Sequence, residues 1–296
     1  MKNIIYLNYG INADLKEYYK DIYYFYIDYI KYYFIKVDRP LKDILNINNY
    51  LVENNYYHSI IRTNDNKFHS KIGKKHFVLL KLNLPENNEI TIEEILKYQV
   101  SINDYNPDLD RRSWSNLWER KVDYLEYQIS EFAINHKSAI NSFSYYVSLA
   151  ENAIEYFNLT PKDGIVSLNQ KRIIYPNYAR DFLNPLNLII DYRVRDIAEY
   201  IKSSFWNGTN ALNELKKVLD KNIYSSSEYN LLFVRILYPS NYFDDLQGVL
   251  EKNKDDDILI KYVERAEEYR LFIRDVFFLI TKKAPLMSID WIIKEH

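Results

Sequence analysis

No cysteine occurs among the 296 residues, which excludes disulfides, thiolate zinc sites and a cysteine nucleophile and fits a reducing compartment. Glycine is nearly as scarce: there are five, at 10, 73, 164, 208 and 248, and no two are close neighbours. Neither G-x-G-x-x-G nor G-x-x-x-x-G-K-[ST] is present, so no glycine-rich loop brings backbone amides up to a phosphate. A nucleotide would need to be held by another device. Net charge is also missing. With 39 basic and 41 acidic side chains the balance is −2, and no overall field steers nucleic acid or an anionic membrane toward the chain. Long apolar runs are absent too. The most apolar segment, Ile22 to Val37, carries Asp28, Lys31 and Lys36 and is too short and too charged to span a bilayer. The opening MKNIIYLNYGINADL lacks the apolar core and small-residue cleavage site of a signal peptide, so none is expected.

What is abundant is tyrosine, with 30 residues, alongside many Asn, Lys and Ile. That combination reads as the mark of an AT-rich coding sequence, not as a stacking surface for bases. The length suits one large domain or two modest ones with a real apolar core. Between Ile4 and Val37, the aromatic and branched runs Ile22–Ile27 and Tyr32–Val37 predict an antiparallel strand pair. Pro40 opens a helix whose apolar side is Leu41, Ile44, Leu45, Ile47 and Leu51, lasting to about Asn54. A three-stranded meander follows, over Ser59–Thr63, Lys67–Ile72 and His76–Leu82. His58, His69 and His76 lie on it without metal-ligand spacing. Pro85 and Asn87-Asn88 make a connector, so the expected domains are 1–84, a β-rich lobe with one helix, and 85–296, a helical lobe.

In the second lobe Thr91 and Glu94 form a capping box. Ser113 to about His136 reads as one long amphipathic helix, with Trp114, Leu117, Trp118, Val122, Leu125, Ile129 and Phe132 at intervals of three and four. Further helices are expected at Ile140–Phe157, 210–220, 225–237, 241–252 and 256–281, and a strand at Ile165–Leu168. The most informative stretch is Asn184 to Lys202, NPLNLIIDYRVRDIAEYIK. Leu186–Ile190 has the pattern of a buried strand, and Asp191 ends it. Val194, Ile197, Ala198 and Ile201 then line one helix face, with Asp196 and Glu199 on the other sides. A carboxylate at the end of a buried strand is where many phosphoryl-transfer folds hold a metal ion; it is equally a common strand-end or helix-cap residue.

Three segments carry a resemblance to a family. Tyr33-Phe34-Ile35-Lys36-Val37, the meander Ile61-Arg62-Thr63-Asn64-Asp65-Asn66-Lys67 with Lys74-Lys75-His76-Phe77-Val78-Leu79, and Ile190 through Lys202 resemble the spore-coat kinase-like proteins of the CotS/YutH type. These belong to the broader aminoglycoside and choline kinase-like fold. The resemblance covers residues 20 to 205, and D-x-R-x-R-D-x-A-E is its best motif. It implies an α+β, two-lobed protein-kinase-like (aminoglycoside phosphotransferase-type) fold: a small mixed β lobe, then a mainly helical lobe.

By that resemblance Lys36 matches the lysine that contacts nucleotide phosphates, Asp191 the metal-binding aspartate, and Asp196 an aspartate that supports the catalytic loop. The catalytic loop departs from the pattern. Active relatives carry H-x-D with an asparagine five residues on, and here Gln170 falls at the histidine position and Arg172 at the aspartate position. A guanidinium cannot act as a base near neutral pH. A shift in register offers Asn169, which takes no proton, and the nearby carboxylates Asp163 and Asp181 sit in no H-x-D context. Lys36 reads equally as a solvated strand lysine; Glu53, the only glutamate on the first-lobe helix, lies near the helix end and is not expected to pair with it. Arg193 and Arg195 are expected in ion pairs with Asp181, Asp191 and Asp196 rather than on phosphate.

The expected function is therefore a catalytically degenerate kinase-like protein with a structural or interaction role in spore coat formation or sporulation. No catalytic residue and no cofactor are expected. The expected partners are other proteins, spore coat components among them, and not nucleic acid; the expected location is the cytoplasm or the spore coat. The alternative is an active ATP-dependent small-molecule phosphotransferase using Mg-ATP with Asp191 on the metal, since phosphoryl transfer depends mostly on positioning and charge.

Overall fold

The computed structural model describes residues 1–51, 56–103, 106–132 and 136–294. They divide into two compact units. The first is Met1–Leu109 with Gln170–Arg172 and Pro176–Ile189; the second is Asp110–Asn169 with Ile173–Tyr175 and Ile190–His296. The division differs from the expected break at residue 84. Helix α3, Ile92–Tyr98, capped by the Thr91–Glu94 capping box, stays with the first unit. The chain later returns to that unit, as Asn88 O accepts from Ala179 N and Asn177 O from Ile90 N. A linear reading cannot see such a return.

In the first unit β1 (Lys16–Tyr19), β2 (Ile22–Ile27), β3 (Ile30–Lys36), β4 (Ser59–Ile61), β5 (Ser70–Ile72) and β6 (Lys75–Lys81) form one sheet in the order β1-β2-β3-β6-β4, with β5 also on β6. The pairings are antiparallel. The β2–β3 hairpin turns at Asp28 and Tyr29, which take φ of 47° and 64°, the left-handed pair that matches strand twist. Helix α1 (Lys2–Tyr9), for which no element was expected, puts Ile5 and Tyr9 against Phe25, Phe34, Phe77 and Leu79. It stops at Gly10, φ 68°. Helix α2 (Leu41–Tyr50) places Ile44 in a second cluster with Tyr33, Val78 and Leu80. The sheet is thus covered by apolar residues on both faces, as alternation along β3 and β6 requires. The tyrosines serve this packing: Lys31 Nζ lies 4.4 Å from the Tyr24 ring and 4.9 Å from that of Tyr33, and 2.7 Å from Glu86. A short strand β7 (Val100–Ser101) follows α3.

His58, 2% exposed, shows what this packing does to a titratable group. Burial pushes its imidazole from 6.5 down to about 4. The folded form therefore prefers the neutral ring: its stabilisation is complete above pH 6.5 and is lost as pH falls toward 4. At ~1.36 kcal/mol per pH unit the loss is about 3 kcal/mol. Urea unfolding at pH 7 and at pH 4 should show it, and His58→Gln should flatten the profile over that window; equal pH dependence in both proteins would refute the assignment.

The second unit holds α4 (Trp114–Phe132), α5 (Lys137–Leu159), most of β8 (Val166–Gln170), and, past the short α6 (Ala179–Phe182) of the first unit, the end of β9 (Leu188–Tyr192). Then come α7 (Val194–Trp206), α8 (Ala211–Asp220), α9 (Ser226–Leu237), α10 (Ser240–Leu250), α11 (Ile260–Glu264), α12 (Ala266–Thr281) and α13 (Asp290–Ile293). Two expectations shift. Strand β9 begins two residues late, because Pro185–Asn187 forms a 3-10 turn capped by Asn184. The helix expected over 256–281 is broken into a 3-10 turn, α11 and α12.

Candidate functional site

The strand-to-helix passage at Asp191 is the place where this unit concentrates charge. Asp191 is the fourth residue of β9, 0% exposed, and α7 behind it is buried from Val194 through Ser204 on every side. Asp196 and Glu199, expected on outer sides of that helix, are buried as well. A helix carrying charge on all faces can be buried only if each charge meets a partner.

Each does. Arg195 Nε lies 3.1 Å from Asp191 Oδ2, and its Nη1 lies 3.3 Å from Asp196 Oδ1. One helical turn on, Glu199 Oε1 receives Arg235 Nε of α9 at 2.6 Å and Lys202 Nζ at 3.1 Å, and Glu199 Oε2 receives Ser240 Oγ at 2.7 Å. Lys202, fully buried, also donates to Tyr238 O at 2.8 Å and Ser240 Oγ at 2.6 Å. Its three donors thus face three acceptors. Three carboxylates and three cations balance in charge. Burial alone would push Glu199 up, yet Lys202, Arg235 and Arg195 hold its carboxyl well below the usual range. For Asp191 burial dominates and raises the carboxyl to about 6, against the pull of Arg195 and Arg235 and the Trp114 hydrogen bond.

The geometry at Asp191 closes the carboxylate. Oδ1 accepts from Trp114 Nε1 at 2.9 Å and from Tyr192 N at 2.7 Å; Oδ2 accepts from Trp114 Nε1 at 3.1 Å and faces Arg195 Nε at 3.1 Å. A carboxylate offers about four acceptor sites, and three donors face them here, the indole N–H shared between both oxygens. Trp114 is itself fixed by stacking on Trp118, 5.4 Å between rings, and the Arg235 guanidinium lies 5.1 Å over its face. A magnesium ion held by this aspartate needs a free oxygen lone pair and room for its waters. The residues present do not fit it. No group of three His, Cys, Asp or Glu suited to a metal occurs among the described residues.

The remaining candidates lie as follows. Lys36 ends β3 and pairs at 2.6 Å with the exposed Asp38. Glu53 falls outside the described residues. Gln170, in the first unit, is buried and donates Nε2 to Phe182 O, while Arg172 is exposed in that same unit. Asn169 is buried, and its Nδ2 donates to Asp191 O at 3.1 Å and Ser167 O at 2.9 Å. Asp163 is exposed, and Asp181 is exposed beside Arg180. Arg193 does not join the Asp191 cluster: its guanidinium clamps Glu228 of the Ser225–Glu228 capping box, with Nε 2.6 Å from Oε1 and Nη2 2.7 Å from Oε2. Sequence reading missed Trp114, Glu199, Lys202 and Arg235 as members. Arg235 offered a signal, a lone cation inside the apolar run Leu231-Leu232-Phe233-Val234-Arg235-Ile236-Leu237, which asks for a buried carboxylate.

A family model, described as "Spore coat putative kinase YutH", matches residues 2–276. The chain belongs to this family. Among curated proteins it is similar to the endospore coat-associated protein YutH of Bacillus subtilis (strain 168), 24% identical over 206 residues, 60% of this chain and 61% of the relative. The matched stretch thus spans about three-fifths of that YutH protein. Among solved structures it resembles the aminoglycoside phosphotransferase of Alicyclobacillus acidocaldarius, with TM-score 0.66, 11% identity and 95% and 96% of the two chains covered. It also resembles a spectinomycin phosphotransferase in complex with ADP and spectinomycin, with TM-score 0.61, 14% identity and 93% and 96% covered. This YutH-family chain therefore has the kinase-like aminoglycoside phosphotransferase fold expected from Lys36, the meander and Asp191. No helix among its described residues is long and apolar enough to cross a membrane.

Proposed function

We propose that this chain is a spore-coat-associated, kinase-like protein whose phosphotransfer centre has become a structural ion cluster, and that it acts in the coat as a scaffold. The observation that carries the reading is that both oxygens of the buried Asp191 are engaged by Trp114, Tyr192 N and Arg195. The catalytic loop agrees, since Asn169, Gln170 and Arg172 supply no proton acceptor. The coat assignment draws on the family and on the B. subtilis relative. A kinase aspartate that holds metal must be left partly unpaired; this one is locked into the core at the junction of β9 and α7.

Thermal unfolding with magnesium and ATP, ADP or GTP at millimolar concentration tests this. A nucleotide at a hundred times its dissociation constant would add about 2.7 kcal/mol, a rise of a few degrees for a chain of this size. No rise above that with magnesium alone is expected. A rise of several degrees that Asp191→Asn or Lys36→Met removes would overturn the proposal in favour of an active phosphotransferase.

A further inference from the structure

Away from the ion cluster, α4 and α5 leave between them an open groove of about 430 Å³, lined by Val122, Ile154 and Leu159 and by the carboxylates of Glu119, Asp123, Glu126, Glu151 and Glu155. The five acids are exposed, and none of them forms an ion pair among the described residues. Their spacing is unfavourable to the helices that carry them. Glu119, Asp123 and Glu126 stand at i, i+4 and i+7 on α4, and Glu151 and Glu155 at i and i+4 on α5, so each helix sets like charges side by side. Elsewhere the same unit does the opposite, pairing Glu214 with Lys217, Glu268 with Arg265 and Glu267 with Arg270 at one-turn spacing. Nor do nearby cations turn toward the groove: Lys121 donates to Gln247, and Lys162 to the carbonyls of Phe157 and Thr160. Leu159 meanwhile stays 65% exposed at the end of the groove.

We propose that this groove docks a basic segment of a partner protein, with lysines or arginines against the two acidic rows and an apolar side chain between them on Val122, Ile154 and Leu159. Charge complementarity selects the occupant. The α4 row spans about 10 Å at 1.5 Å per residue, the reach of three or four residues of extended peptide. Binding neutralises two self-repelling rows and covers an exposed leucine, so association is fast and falls with ionic strength. This reading goes beyond the scaffold proposal and does not depend on whether Asp191 can bind metal.

The test uses the intact chain with two fluorescent probes, hexalysine and Lys-Lys-Leu-Lys-Leu-Lys, in low and physiological salt. Both should bind, the leucine-containing peptide several-fold more tightly. The combined variant E119Q/D123N/E126Q/E151Q/E155Q should lose at least tenfold in affinity for both. Leu159→Ala should remove the advantage of the second peptide while leaving hexalysine unchanged. A control neutralising five exposed acids elsewhere, E89Q/D220N/D255N/D257N/E264Q, should lose far less. Equal losses in the two five-fold variants, or no binding to the parent chain, would overturn the proposal. Competition by spermidine as strong as by hexalysine would also overturn it, in favour of a small-polyamine site.

Discussion

Replacing Arg235 with methionine should destabilise the protein by about 3–5 kcal/mol, because it leaves Glu199 in the core with one cation fewer. The wild-type cluster balances Asp191, Asp196 and Glu199 against Arg195, Lys202 and Arg235, all buried. Removing one member leaves a net charge where water cannot compensate it. Glu199→Gln should do comparable harm by leaving Lys202 and Arg235 in excess. The double variant E199Q/R235M restores the balance, with two carboxylates against two cations. Its loss should therefore fall short of the sum of the single losses by more than about 1 kcal/mol. Urea unfolding of the four proteins closes this cycle. Additive single losses would mean that the two side chains act separately, and the cluster would not be the cooperative unit its distances describe.

Much of the fold was legible because local rules decided it. The β2–β3 hairpin follows from aromatic and branched runs around a polar turn, and the Thr91–Glu94 box starts α3 as its spacing demands. What escaped was decided by partners distant in sequence. Helix α1 carries no N-terminal side-chain cap or clear periodic signal, and its place in the fold is set by Ile5 and Tyr9 packing with Phe25 and Phe34. Asp196 and Glu199 look like a solvent face until Arg235, 36 residues beyond Glu199, arrives beside them. Arg193 looks like a partner for Asp191, but Glu228, 35 residues on, takes it first. The position of Asp191 at the end of a core strand was visible in the pattern Leu-Ile-Ile-Asp. Its occupancy was not, since Trp114 lies 77 residues earlier and read only as an apolar helix position.

Trp114 gives the second large effect, and its two substitutions separate packing from the hydrogen bond. Trp114→Ala removes the ring, 0% exposed, from between Trp118, Phe157 and Tyr192 and should lower stability by about 3–5 kcal/mol. Trp114→Phe keeps much of that volume but deletes the Nε1–H that spans both Asp191 oxygens. A hydrogen bond to a charged group is worth about 1.5–3 kcal/mol, so the phenylalanine variant should lose that much through Asp191 alone. Its pH profile distinguishes this from a packing defect. Burial already raises Asp191 to about 6. Because the folded pKa exceeds the unfolded one, the stabilising contribution is fully present in acid and declines as pH rises through the folded value. Without the indole donor the folded pKa should rise further, so Trp114→Phe should lose more at pH 7.5 than at pH 5, measured by urea unfolding at both. A loss independent of pH would assign Trp114 to packing only, and would leave Tyr192 N and Arg195 as the donors holding Asp191, which weakens the case against a metal there.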